Sequence, residues 1–302
     1  MITRRFEYMD ATKRAYLELH IAVILFGFTA ILGSLIQLPA FVLVWWRVLL
    51  TSISLLFLIN FRQIFSELPR RTIFQFMGIG LLVALHWLSF FGAIKYANAS
   101  IALVCFATTC AFTAFLEPAI MRQKVKKYEI ALGLMVIPGM VLIVDNTELS
   151  MKAGIWMGLS SAFLASLFGT LNKKLIHNTN SLNITFLELG SAWLFLSLIL
   201  PFYIFFEKGV VLMPALTDWV YLLILALLCT TLGYVLAVRA LRYISAFATN
   251  LTVNLEPVYG IVLAWLLLKD NNDLSQGFYW GVVLILAVVF SYPLLKKYIE
   301  RV

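Results

Sequence analysis

"AIKYANAS" runs from Ala93 to Ser100, and 147 residues further on the chain reads "ALRYISAF", from Ala240 to Phe247. Both stretches keep an Ala-x-Lys/Arg-Tyr core at the end of a long apolar run. Gly133 and Gly281 are 148 residues apart, each early in the last apolar run of its half. Two landmarks at nearly one offset mark an internal duplication, and a duplication decides how the chain folds.

The composition says where that fold lives. The chain is 62% hydrophobic and 13% charged, with a mean hydropathy of +0.95. Soluble domains carry about 25% charged residues, so a globular core cannot hide this much apolar surface. The class is an all-α polytopic membrane protein with the lipid bilayer as its solvent. The net charge of +8 therefore carries no argument for nucleic acid. Cys105, Cys110 and Cys229 lie inside apolar runs and read as buried packing, not as a disulfide framework. The basic opening stretch, residues 1–16, leads straight into an apolar run without a cleavable-signal pattern.

Apolar windows long enough to cross a bilayer fall at 17–37, 40–60, 72–94, 98–119, 128–144, 153–172, 182–206, 217–238, 246–268 and 276–295. The chain thus divides into a cytoplasmic N-terminal segment (1–16), a first five-helix repeat (17–145), a second (153–295) and a cytoplasmic tail (296–302). Five is odd, so the two copies cross the membrane in opposite senses. The expected fold is ten transmembrane helices as two inverted five-helix repeats, an arrangement that transporters use for alternating access. Loop charges give the orientation. Eighteen of the 23 Lys and Arg fall at one set of loop ends, only Lys95, Lys152, Lys208 and Lys269 at the other, and Arg47 lies inside a span. By the positive-inside rule both termini are cytoplasmic, in a multi-pass protein of the inner membrane.

"HWLSFFGAIKYANAS" (86–100) and "ALRYISAFATNLTVNLEPVYGIVLAWLLLKDN" (240–271), set in two five-span halves, resemble the EamA-type branch of the drug/metabolite transporter superfamily. The resemblance covers about 17–295 and is nearest to YddG-like exporters of amino acids and related metabolites. It implies helices around a central cavity, the last helix of each half at the periphery, and a small-molecule substrate such as an amino acid. It calls for no cofactor and no metal.

Ionisable residues inside spans are costly and therefore functional candidates. Three qualify: Arg47 ("VWWRVLL"), Glu188 ("TFLELGS") and Glu256 ("NLEPVYG"). At 1.5 Å per residue Arg47 lies roughly 10 Å from the outer face, Glu188 roughly 9 Å from the inner face and Glu256 roughly 15 Å deep. Those depths favour an Arg47–Glu256 pair and leave Glu188 to another partner or to a protonated state. Pro257 breaks the backbone ladder of its span, and such a break is tolerated where it lines a cavity or is held by protein. Asn250 and Asn254 share one helical face just before it. Substrate-binding or cavity candidates are therefore Arg47, His86, Trp87, Glu188, Tyr234, Asn250, Asn254, Glu256 and Tyr259.

Other polar residues read more plainly. Trp45 and Trp46 suit the interfacial belt. Ser161, Ala165 and Gly169 repeat at a spacing that lets helices approach closely. Lys173 and Lys174 read as inner-face charges, and Glu117 is near enough to pair with the basic loop at 122–127. There is no Gly-x-Ser-x-Gly, His-Glu-x-x-His or intramembrane aspartate pair, which argues against an enzyme, and no P-loop. The expected function is a secondary transporter that exports small organic metabolites. The alternative is an exporter of organic cations or drugs that uses a membrane-embedded glutamate.

Overall fold

The computed structural model describes residues 2–144, 151–256, 259–260 and 276–299, all helix and connecting turn. The first half contains α1 (Ile2–Leu35), α2 (Ala40–Leu56), α3 (Phe61–Glu67), α4 (Arg70–Tyr96), α5 (Ala99–Ala107), α6 (Thr109–Met121) and α7 (Lys127–Val144). The second contains α8 (Lys152–Leu175), α9 (Ser181–Phe206), α10 (Leu216–Ile224), a π-helical segment (Leu225–Leu232), α11 (Gly233–Ala240), α12 (Ala246–Val253) and α13 (Gln276–Ile299). Among the described residues, seven stretches are long and apolar enough to cross a membrane, and Ala40–Leu56 is a shorter apolar helix. Of the ninth predicted span, residues 257–258, with Pro257, and 261–268 lie outside the described residues.

The repeated motif has a structural reason. Asn98 and Ser245, equivalent by the 147-residue offset, are both N-caps. The Asn98 carboxamide accepts from Ile101 N at 2.8 Å, and Ser245 Oγ accepts from Ala248 N at 3.1 Å. Each satisfies an amide that the first turn of a helix leaves without a partner. The basic residues three positions upstream are equivalent too. Lys95 Nζ donates to the Ile36 carbonyl, just past the end of α1, at 2.5 Å. Arg242 donates to the Thr179 carbonyl, just past the end of α8. In each half a cation thus pins the turn that follows the half's first helix.

Helix packing follows the same exchange. α4 packs on α8, and the α11 portion of its counterpart packs on α1. α4 also packs on α9, as the π segment packs on α2; α5 and α6 pack on α8, as α12 packs on α1. The pairs α2–α9, α6–α12 and α7–α13 map onto themselves. α7 and α13 lie side by side at the margin, and Trp280, Phe290, Leu294 and Tyr298 of α13 are exposed.

Several local features depart from a simple succession of straight spans. α1 is continuous from Ile2, so the polar opening segment extends the first membrane helix. The loop after α2 forms a short helix, α3. The fourth span is broken at Thr108, where the Thr108 and Thr109 hydroxyls bond back to the carbonyls of Cys105 and Phe106. Such back-bonding offers the backbone an alternative to the regular ladder. α12 ends at Val253, where Asn254 N folds back onto the carbonyls of Asn250 and Leu251. A helix that ends before the residue preceding a proline is the sterically expected outcome. The three cysteines are free and buried.

Candidate functional site

Between the two halves lies a cavity of about 100 Å³, which is room for several waters or a small ligand. Arg47 of α2, His86 and Trp87 of α4, Tyr234 of α11, Asn250 of α12 and Glu256 line it. Six of the nine residues singled out from sequence therefore share one wall system. The rest of the lining is mainly apolar, with Phe90, Phe106 and Phe168 prominent and Asn172, Thr29 and Thr249 as polar additions.

Arg47 is 2% exposed. Its Nε donates to Thr230 Oγ1 at 2.7 Å, and its guanidinium carbon lies 4.1 Å from the centroid of the Trp87 ring. Cation–π contact and one hydrogen bond offset part of the cost of burying the charge. Nη1 has no hydrogen-bond partner among the described residues. The expected ion pair with Glu256 is not formed: among the described residues no Arg47 nitrogen lies within 4.0 Å of a Glu256 carboxylate oxygen. The two charges instead face the same cavity. The guanidinium is turned toward Thr230 and Trp87.

Thr230 is available because of the π segment. Its hydroxyl donates to Leu225 O at 2.6 Å, five residues back, while Thr231 bonds Ala226 O at 3.0 Å and Ser54 Oγ at 2.7 Å. Thr51 Oγ1 also donates to Ala226 O, at 3.2 Å. π turns inside helices occur often at functional sites, and this one docks span 8 onto the Arg47 face of α2. Sequence reasoning passed over Thr230 and Thr231 because a threonine in a membrane helix can satisfy itself on its own backbone and gives no signal of need.

His86 is held from α8. Its Nδ1 lies 3.0 Å from Ser161 O and 2.8 Å from Ser161 Oγ. A carbonyl only accepts, so Nδ1 carries the proton in the neutral ring and Nε2 is left as an acceptor. Phe106 and Phe168 flank the imidazole, each at 5.4 Å between centroids. Ser161 therefore orients His86, whereas Ala165 and Gly169 of the same small-residue series line the cavity. The spacing read as helix packing is largely a cavity wall.

Asn250 donates to Thr113 Oγ1 at 2.7 Å, and Thr113 in turn lies 2.8 Å from Ser166 Oγ. Glu117, one turn further along α6, does not turn to the basic loop at 122–127. Its carboxylate accepts from Ala246 N at 3.0 Å and from Phe247 N at 2.6 Å, capping the start of α12. An acidic group suits the positive end of the helix dipole. Lys173 is likewise more than a surface charge, since its Nζ donates to Leu241 O at 2.5 Å and Ile244 O at 2.8 Å. The segment carrying Asn250 is thus clamped from α6 and α8.

Glu188 stands one layer behind the cavity. Its Oε2 accepts from the Tyr234 hydroxyl at 2.7 Å and from Asn172 Nδ2 at 3.2 Å. Tyr234 and Asn172 both line the cavity; Glu188 does not. Asn254 and Tyr259 are also away from it. Asn254 is buried against Cys110 of α6, and Tyr259 packs beside Gly27 of α1.

A cluster of aromatic rings joins the start of α2 to its neighbours. Trp45 meets Trp46 edge-on at 5.0 Å between centroids, and Trp46 meets Trp219 at 4.9 Å. Trp45 Nε1 donates to Ser197 Oγ at 2.9 Å and Trp46 Nε1 to Leu212 O at 2.8 Å. These tryptophans join α2 to α9 and α10 instead of contacting the cavity. Glu18 of α1 bonds Arg239 of α11 at 2.7 Å.

The model of the EamA-like transporter family matches this chain twice, over residues 13–145 and 152–292. The chain belongs to the EamA-like transporter family. Two curated relatives are named as uncharacterised transporters of Bacillus subtilis (strain 168). YxxF is 25% identical over 281 residues, spanning 90% of this chain and 87% of its own length. YetK is 23% identical over 303 residues, spanning 94% and 88%. A solved crystal structure aligns with a TM-score of 0.71 at 16% identity, over 95% of this chain and 99% of its own. The EamA-like protein is therefore a multi-pass membrane transporter with a fold already seen in a crystal.

Proposed function

We propose that this EamA-like protein is a secondary exporter of small zwitterionic metabolites, amino acids foremost, in the cytoplasmic membrane. It works by alternating access between two inverted five-helix repeats, 17–145 and 153–295, with both termini inside. The observation that carries the substrate reading is the pairing of opposite charges on one small cavity. Arg47 presents a buried guanidinium with Nη1 free of partners, and Glu256 presents a carboxyl group, with no ion pair between them to be broken. A substrate carboxylate suits Arg47, the ammonium suits Glu256 and the bare His86 Nε2, and an apolar side chain suits the phenylalanine wall. The exchange symmetry of helix packing and the paired pins of Lys95 and Arg242 support the inverted halves.

The alternative is an exporter of organic cations or drugs, favoured by the aromatic lining and by a Glu256 carboxyl group without a hydrogen bond among the described residues. Flux of labelled amino acids and organic cations in proteoliposomes, with and without a pH gradient, separates the two. Saturable amino-acid flux lost in both Arg47→Ala and Glu256→Gln supports the proposal. Cation flux without amino-acid flux, or amino-acid flux unchanged in both variants at equal protein levels, sinks it.

A further inference from the structure

The carboxyl group of Glu188 is 0% exposed, and Asn172 beside it is 1% exposed. Among the described residues each keeps one buried oxygen without a hydrogen-bond partner, Oε1 of Glu188 and Oδ1 of Asn172. Both oxygens can only accept while the carboxylate is ionised. Two buried acceptors without a donor among the described residues, on side chains already bonded to each other through Oε2 and Nδ2, are costly as they stand. What they lack is positive charge.

The surrounding elements supply none. From α11 the facing group is the Tyr234 hydroxyl, already donating to Oε2. From α8 it is Asn172. α4 offers backbone: a Cβ on Gly80 would run into the Glu188 carbonyl oxygen and Ser191 Oγ, so the helices touch here. α2 packs on α9 as well, but its one cation, Arg47, is engaged with Thr230 and Trp87. His86 faces Ser161, and Arg239, at the far end of α11, is paired with Glu18.

We infer that Glu188 Oε1, Asn172 Oδ1 and the Tyr234 hydroxyl form a binding site for one small monovalent cation, a proton or Na⁺, separate from the substrate cavity but sharing two residues with its wall. Tyr234 and Asn172 face the cavity on one side and Glu188 on the other. The Tyr234 ring meets Trp87 edge-on at 6.1 Å, and Trp87 underlies Arg47. A ligand on Arg47 that shifts this stack moves a donor of the Glu188 site. The inference deepens the transporter reading and rests on it for the coupling role, assigning coupling to Glu188 and not to Glu256.

The test uses purified protein in detergent, so it does not depend on knowing the substrate. Infrared difference spectra in H₂O and D₂O detect a protonated buried carboxyl group, and thermal unfolding in NaCl against choline chloride at equal ionic strength detects Na⁺. A bound proton predicts an acid carbonyl band that is lost in Glu188→Gln, retained in Glu256→Gln and indifferent to Na⁺. Bound Na⁺ predicts a saturable rise in unfolding temperature that is lost in Glu188→Gln and in Asn172→Ala. Wild type and Glu188→Gln indistinguishable in both measurements would overturn the site. If amino-acid flux is absent but the Glu188 signal is present, the substrate reading fails and the cation site stands.

Discussion

Arg47 Nε donates to Thr230 Oγ1 at 2.7 Å across 183 residues of chain. The bond joins the charge of α2 to the π turn of span 8, and among the described residues it is the one hydrogen bond that aims Arg47. Thr230→Val removes the acceptor and leaves the guanidinium without a partner at Nε. Hydrogen bonds to charged groups contribute about 1.5–3 kcal/mol, so apparent substrate affinity in proteoliposomes should fall roughly tenfold to a hundredfold. Thr230→Ser keeps the hydroxyl and should stay close to wild type. Equal loss in both variants would assign the effect to packing.

Glu117 caps α12 from another helix. Glu117→Ala removes the acceptor for two amides and should lower stability by about 0.5–2 kcal/mol. Glu117→Gln retains an oxygen and should lose less. Thermal unfolding in detergent ranks the three proteins, and an unchanged melting temperature in Glu117→Ala would show the cap to be dispensable.

Gly80 and Gly78 make an internal control two residues apart on α4. Gly80 is in backbone contact with α9 at Glu188, so Gly80→Ala forces the helices apart at a cost of about 1–3 kcal/mol. A Cβ on Gly78 meets nothing within 4 Å. Gly78→Ala should therefore be neutral or stabilising by up to about 1 kcal/mol, through helix propensity. The opposite ranking in thermal unfolding would contradict the packing of α4 on α9.

Orientation is tested at Lys126 and Lys208, placed by loop charge on opposite sides. The native cysteines are buried, so background labelling is low. In intact cells a membrane-impermeant maleimide should label Lys208→Cys and spare Lys126→Cys until the membrane is permeabilised. Labelling of Lys126→Cys from outside would reverse the proposed topology.

Hydropathy and the internal repeat are properties of the order of residues along the chain, and these were legible from residues alone. Charge burial likewise singled out Arg47, Glu188 and Glu256 before any coordinates, because an ionisable group among apolar neighbours is conspicuous at any rotation of its helix. The family match to both halves agrees with the resemblance read from "HWLSFFGAIKYANAS" and the stretch around Asn250.

Partners were another matter. Depth along the membrane pointed Arg47 to Glu256, whereas the folded chain gives it Thr230 and Trp87. Glu117 was expected at a local basic loop and instead caps a helix 129 residues away. Asn172 escaped notice at a helix end beside two lysines, yet it bonds Glu188. The reason is physical: these helices are apolar nearly all round, so their patterning carries little information about which face meets which neighbour. Sequence determined that the chain is a multi-pass membrane protein and which ionisable groups lie within its apolar stretches. Only tertiary packing decided how each helix is rotated, and hence which charge finds a partner and which is left facing the cavity.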